Sequence, residues 1–160
     1  MRWIWIDKFT DFQSRVSATA IKNVSLAEEH LHDLYPDFPI VPHSLIIEGM
    51  AQTAGILVGE AANFSQKVIL AKIGRATFHR LSRPGDTLEF HAKIEQFSEQ
   101  GASASGKVNC GGQLVAEIEL MFSHIDQNMS GAQFPEHNFV FTEQFTELLK
   151  TYRQGRAISI

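Results

Sequence analysis

An α+β fold in which an antiparallel sheet wraps one long helix is what this sequence predicts, and three observations predict it. Residues 43–63, HSLIIEGMAQTAGILVGEAAN, form a proline-free run that is apolar on nearly every side. A helix with so little polar surface has to be covered by other elements around most of its circumference. Four strand-like runs follow it in succession, at residues 67–81, 87–98, 102–110 and 113–125. Pro84-Gly85, Gln100-Gly101 and Gly111-Gly112 punctuate them as turns. One buried helix followed by consecutive strands is the α+β order, with the strands read as a meander.

The elements can be justified in chain order. Residues 15–24 alternate Val16, Ala18 and Ala20 with Ser17 and Thr19, the period of a half-buried strand. Ser25 with Glu28 three residues later reads as a capping box opening a short helix, AEEHLHDLY. Pro36, Pro39 and Pro42 then force an extended, shaped loop. Within the long helix, Gly49, Ala51, Ala54, Gly55 and Gly59 leave the backbone open to close approach. Its glycines each lower intrinsic helix stability by about 1 kcal/mol, so tertiary packing has to carry the element. Phe78, Phe90, Phe97 and Phe122 fall on strands and are expected in the core. Residues 126–138 are polar and turn-rich, and 142–152 suggest a short amphipathic helix with Phe145, Leu148 and Leu149 on one face. Residues 1–125 are therefore taken as the main domain and 126–160 as a C-terminal extension.

Composition excludes several classes. A chain of 160 residues can bury roughly two thirds of its unfolded surface, and with one cysteine, Cys110, it has no internal disulfide. The net charge of −4 argues against a general nucleic-acid binder. Early Asp7 and Lys8 interrupt any secretory signal. The longest apolar stretch, 45–58, contains Glu48, Gln52 and Thr53 and is too short and polar to span a membrane. A soluble cytoplasmic protein is expected.

Glu48 is the residue that needs explaining, because a carboxylate on an apolar helix is costly to bury unless it is paired. It reads either as a general acid or base or as a carboxylate held by an amide or arginine. Gln52, four residues on, shares its helix face and could position it. His43 stands at the first turn or N-cap of the helix, where free N–H groups favour a developing oxyanion. His30 and His32 lie two apart, which is poor geometry for a shared metal, and no metal site is expected. Arg75, His79, Arg80 and Arg83 form a basic cluster within an acidic chain. That cluster reads either as a solvated strand edge or as a docking patch for an acidic carrier.

These residues carry a resemblance. Lys22-Asn23-Val24 through Pro39-Ile40-Val41-Pro42, followed by Leu45-Ile46-Ile47-Glu48-Gly49-Met50-Ala51-Gln52, is similar to the hot-dog-fold 3-hydroxyacyl-(acyl-carrier-protein) dehydratases. Arg83-Pro84-Gly85-Asp86-Thr87-Leu88 and the opening Trp5-Ile6-Asp7-Lys8 resemble the same family. The resemblance implies a hot-dog sheet around the helix, and homodimers or trimers of dimers with sites at the subunit interface. It further implies dehydration of a 3-hydroxyacyl thioester carried on the phosphopantetheine of an acyl carrier protein or of coenzyme A, with no metal or redox cofactor. Glu48 matches the family's acid and Gln52 the glutamine that follows it. Leu34, Tyr35, Pro42 and Gln52 are expected along the substrate, and Arg75, Arg80 and Arg83 toward the carrier.

One departure decides the chemistry. Aligned without gaps, the family's His-Phe-Pro-Gly becomes Leu34-Tyr35-Pro36-Asp37, and the glycine after the last proline becomes His43. Leucine cannot exchange a proton. His43 is the first candidate substitute for the missing histidine and His32 the second. The alternatives are an acyl-thioester binding or assembly subunit that has lost the reaction and, third, a thioesterase of the same fold.

Overall fold

The computed structural model describes residues 4–125, 128–129, 132–133, 140–141 and 143–158. Strands β1 (Lys8–Gln13) and β2 (Ser17–Asn23) precede a one-turn helix α1 (His30–Asp33) and the long helix α2 (His43–Ala61). Strands β3 (Lys67–Phe78), β4 (Thr87–Phe97), β5 (Gly101–Cys110) and β6 (Gln113–Ile125) follow. A two-residue ladder of β7 (Asn128–Met129) with β8 (Ala132–Gln133) and the helix α3 (Glu143–Ile158) complete the chain. Most of the polar stretch expected as turns at 126–138 lies outside the described residues.

The sheet runs β1-β2-β4-β5-β6-β3, antiparallel throughout. The expected meander holds for β4, β5 and β6 and fails for β3. β3 does not fold back on β4 across Pro84-Gly85. It lies on the far edge against β6, while β4 pairs with β2. The connection from β3 to β4 is tied to the proline-rich loop, where Val41 N–H bonds the Ser82 carbonyl at 2.8 Å. Segment β1 is a strand the sequence reading did not separate from the N-terminus. Val16 falls in the β1–β2 turn and is exposed, with Arg15 at φ 63°.

The concave face of the sheet is built from small residues so that α2 can sit close. Ala18, Ala20, Ala92, Ala104 and Ala116 are all buried there, interleaved with Leu88, Phe90, Ile118 and Leu120. Gly49 of α2 rests on the Phe90 ring, and Gly106 of β5 rests on Met50. Phe90 and Phe122 occupy the core as expected and Phe78 is half-buried. Phe97, expected in the core, is 41% exposed, because it is the last residue of β4, beside the β4–β5 turn.

Helix α1 is shorter than AEEHLHDLY suggested. Ser25 and Glu28 do meet, but as a turn: Glu28 Oε1 accepts from Ser25 N–H and Ser25 Oγ accepts from Ala27 N–H. The helix itself begins after Glu29, which supplies no side-chain cap. Glu28 is instead drawn to Lys22 Nζ at 2.8 Å, and Lys22 lies 4.7 Å over the Trp5 ring. The C-terminal helix keeps its expected apolar face, with Leu149 buried and Phe145 and Leu148 against the core. Tyr152 Oη accepts from Phe12 N–H, and Arg153 pairs with Glu60 at 2.6 Å, tying α3 to β1 and to the end of α2.

Two predictions follow from this packing. A methyl at Gly49 would run into the buried Phe90 ring, which has nowhere to move. Overpacking of about 1–3 kcal/mol should then outweigh the helix-propensity gain of about 1 kcal/mol. Urea titration of Gly49→Ala should therefore show lower, not higher, stability. The second concerns His30, which packs edge-on to Trp5 at 5.2 Å. Its Nε2 is buried and 3.6 Å from Glu28 Oε2, too far for a hydrogen bond. Burial lowers its pKa, Glu28 opposes that and Lys22 adds to it. The unfolded chain then binds the proton first, at its ordinary value near 6.5. Stability contributed by the neutral ring is present above that pH and is lost as pH falls through it toward the lower folded value. Denaturation at about pH 7.5 and about pH 5 should show a smaller acid-side loss in His30→Phe than in the parent.

Candidate active site

Pro42, at φ −57° and ψ 141°, is the N-cap of α2 and makes His43 the first helical residue. From there Glu48, Ala51, Gln52 and Gly55 fall on one helix face at spacings of three and four. That face looks toward β3 and β6, the strands at one end of the sheet. It lines an open cavity of about 190 Å³ bounded by Val68 and Leu70 of β3, by Phe122 of β6, and by Phe141 and Phe145.

Gln52 is the fixed point of the site. It is 7% exposed, and its Oε1 accepts from Trp5 N–H at 2.8 Å and from Ile6 N–H at 3.4 Å. Two converging N–H donors define which end of the amide is oxygen. Its Nε2 therefore faces Glu48 and donates to Oε1 at 2.7 Å. The N-terminal segment thus orients the carboxylate through Gln52. Glu48 itself is half-buried in the single protomer, at the cavity wall, rather than enclosed within the helix packing as its sequence context suggested. Thr53, the third polar residue of the run, is fully buried and bonds the Gly49 carbonyl at 2.7 Å.

The other expected residues lie elsewhere in the protomer. His43 is exposed, and its ring stacks parallel on Phe78 at 3.9 Å and 2°. His32 is exposed and hydrogen-bonds the Leu26 carbonyl. Leu34 is 56% and Tyr35 47% exposed, Pro42 is half-exposed, and none of the three lines the Glu48 cavity. Arg75 pairs with Glu119 at 2.6 Å, and Arg80 with Gln113 at 2.9 Å and Asp86 at 3.6 Å. Arg83 spreads over the Phe38 ring at 4.4 Å, beside the proline-rich loop. Cys110 is buried at the end of β5, and burial pushes its thiol pKa up.

Sequence reasoning missed two contributors. The backbone of Trp5 and Ile6 has no side-chain signature, so nothing in their letters announces a lock on Gln52. Phe141 and Phe145 could be read as apolar, but only the chain path brings them to Glu48's side of α2. Gly59 is the trace that existed: a side chain there would strike the Phe141 ring.

An antiparallel sheet wrapped around one long helix, with a carboxylate of that helix at the wall of an apolar cavity, defines a hot-dog domain. The chain belongs to the FabA-like family, whose model matches residues 4–119. It is 34% identical over 125 residues to the 3-hydroxyacyl-(acyl-carrier-protein) dehydratase FabZ of Listeria welshimeri, covering 78% of this chain and 87% of that protein. It is 33% identical over 129 residues to FabZ of Chlamydia caviae, covering 78% and 84%. Among solved structures, the dehydratase heterocomplex ApeI:P of Xenorhabdus doucetiae matches with a TM-score of 0.63 at 16% identity, over 78% of this chain and 84% of that one.

The Gln52 lock can be tested directly. Gln52→Leu removes the acceptor for Trp5 N–H in a buried setting, at a cost of about 1–3 kcal/mol. It also releases Glu48. A lowered urea midpoint with a disproportionate loss of turnover is expected, whereas Glu48→Gln should cost turnover with little change in the midpoint.

Proposed function

We propose that this protein is a hydro-lyase that removes water from 3-hydroxyacyl thioesters, in a site completed by a second copy of the chain. The observation that carries this reading is the Glu48 carboxylate, oriented by Gln52 at the wall of an apolar cavity. The FabZ names of its relatives support the same activity. A base takes the proton from the carbon next to the thioester carbonyl, and that electron pair becomes the new double bond. The bond from the next carbon to its hydroxyl breaks, and Glu48 supplies the proton with which the hydroxyl leaves as water. The reaction is redox-neutral and calls for no metal or redox cofactor, and the substrate brings its own phosphopantetheine arm. The first N–H groups of α2, with no intrahelical acceptor, suit the thioester oxygen as charge develops on it.

His43 is the base in this proposal, acting on the partner's side of the site. Strand β3 is a 12-residue sheet edge with Leu70 and Ile73 exposed at 38% and 43%. Such an edge is a template for pairing with another chain. Two-fold antiparallel pairing about the middle of β3 would set Phe78 of one copy beside Lys67 and Val68 of the other. Val68 lines the Glu48 cavity and His43 stacks on Phe78, so this pairing would carry His43 toward the Glu48 of the partner subunit. His32, held to Leu26, is the weaker candidate. An acidic carrier docking beside Arg83, with Arg75 and Arg80 further along, accords with the stacking of Arg83 next to the loop.

One observation favours a second reading, an acyl-binding or assembly subunit without chemistry: exposed Leu34 stands where the dehydratase pattern has its histidine. Hydration of crotonyl thioester, followed by loss of enoyl absorbance, separates the two. Activity in the parent with loss in both Glu48→Gln and His43→Ala is expected. Mixing the two inactive variants should restore about a quarter of parental activity, because random dimers are half mixed and each mixed dimer regains one intact site of its two. No activity in the parent across chain lengths, alongside acyl-carrier binding, would install the second reading. An active parent whose mixed variants stay dead would remove the shared site.

A further inference from the structure

We propose that Phe141 and Phe145, contributed by the C-terminal segment, form the end wall of the acyl site and restrict this protein to short and medium acyl chains. The inference rests on the reading of the Glu48 cavity as an acyl-thioester site and specifies which chains it takes. Both residues lie beyond the part matched by the family model, which ends at 119. They nevertheless line the same cavity as Glu48.

Three features support this role. The cavity is polar at Glu48 and Gln52 and apolar elsewhere, the polarity a thioester with a hydrocarbon tail would need. Its far wall is packed tightly: the Phe141 ring lies against Gly59 so closely that a Cβ there would overlap it, and meets Phe64 edge-on at 5.1 Å. That wall is also anchored, since α3, which carries Phe145, is tied to Glu60 and to β1 through Arg153 and Tyr152. The cavity's volume of about 190 Å³ is somewhat larger than an apolar cavity of about 150 Å³ that accommodates benzene. It therefore has room for roughly six to eight carbons.

The test titrates the full-length chain with saturated acyl-coenzyme A thioesters of about four to about fourteen carbons, which bind without reacting. Affinity should rise about fourfold per added methylene up to about eight carbons and then stop rising. Phe141→Ala should move that break to longer chains by about four carbons, the room a phenyl ring vacates. Gly55→Ala should shift preference the other way. Its new methyl would lie 3.6 Å from Phe122, an ordinary contact, and would take up cavity volume without strain. This second variant keeps the test valid if Phe141→Ala fails to fold.

A parental series without a break, a break that the folded variants do not move, or no acyl binding at all would overturn the proposal. Chain-length-dependent binding without any hydration would leave the acyl wall standing and remove the dehydratase reading. Hydration indifferent to both chain length and these substitutions would do the reverse.

Discussion

Helix α2 has almost no face that it can give to water, and most of the architecture answers that constraint. Eleven of its residues are buried, from Ile46 to Ala61. A sheet of ordinary side chains would hold such a helix at a distance and leave gaps around it. Here the sheet presents alanines under the helix axis, while glycines on both sides receive the large groups opposite. Gly49 takes the Phe90 ring and Gly106 takes Met50. These pairs exchange helix propensity for interior packing, which is why a run with three glycines still forms 19 residues of helix.

The same constraint explains where polar groups can stand. A side chain with hydrogen-bonding atoms on this helix must find a partner within the packing. Thr53 turns back to the Gly49 carbonyl. Gln52 reaches out to the N-terminal segment and turns its remaining amide hydrogens toward Glu48. Glu48 lies on the one stripe that neither the sheet nor its own helix satisfies completely. The site therefore coincides with the gap in the covering, and Gln52 couples the two: the bond that fixes the N-terminal segment to the helix is made by the group that aims the carboxylate.

What could be read from the sequence divides along the range of the interactions involved. The helix at 43–61 and the strands at 87–97, 101–110 and 113–125 are local patterns, and periodicity with turn residues located them closely. Gly111-Gly112 formed its turn with both φ angles positive, as glycine allows. The capping box at Ser25 and Glu28 was a correct local contact with the wrong consequence, because Lys22 competes for the carboxylate and the helix starts later. The edge position of β3 could not be read locally, since β6, its partner, begins 35 positions after β3 ends. At the site, Glu48 and Gln52 were legible from their spacing on an apolar helix. Trp5, Ile6 and Phe141 were not, because their contribution is one of position rather than of residue type.

The protomer on its own is unfinished in two places. One is the edge of the sheet at β3, where Leu70 and Ile73 are exposed. The other is the loop before α2, where Leu34, Tyr35 and Phe38 are each about half exposed. Three large apolar side chains on one short segment are costly to leave in water. Histidine at position 34 would tolerate water, whereas leucine gains only if something covers it. A leucine at this position thus strengthens the loop's demand for a covering surface. In contrast to that exposed loop, the helix offers a carboxylate already held in a fixed orientation by the Gln52 amide.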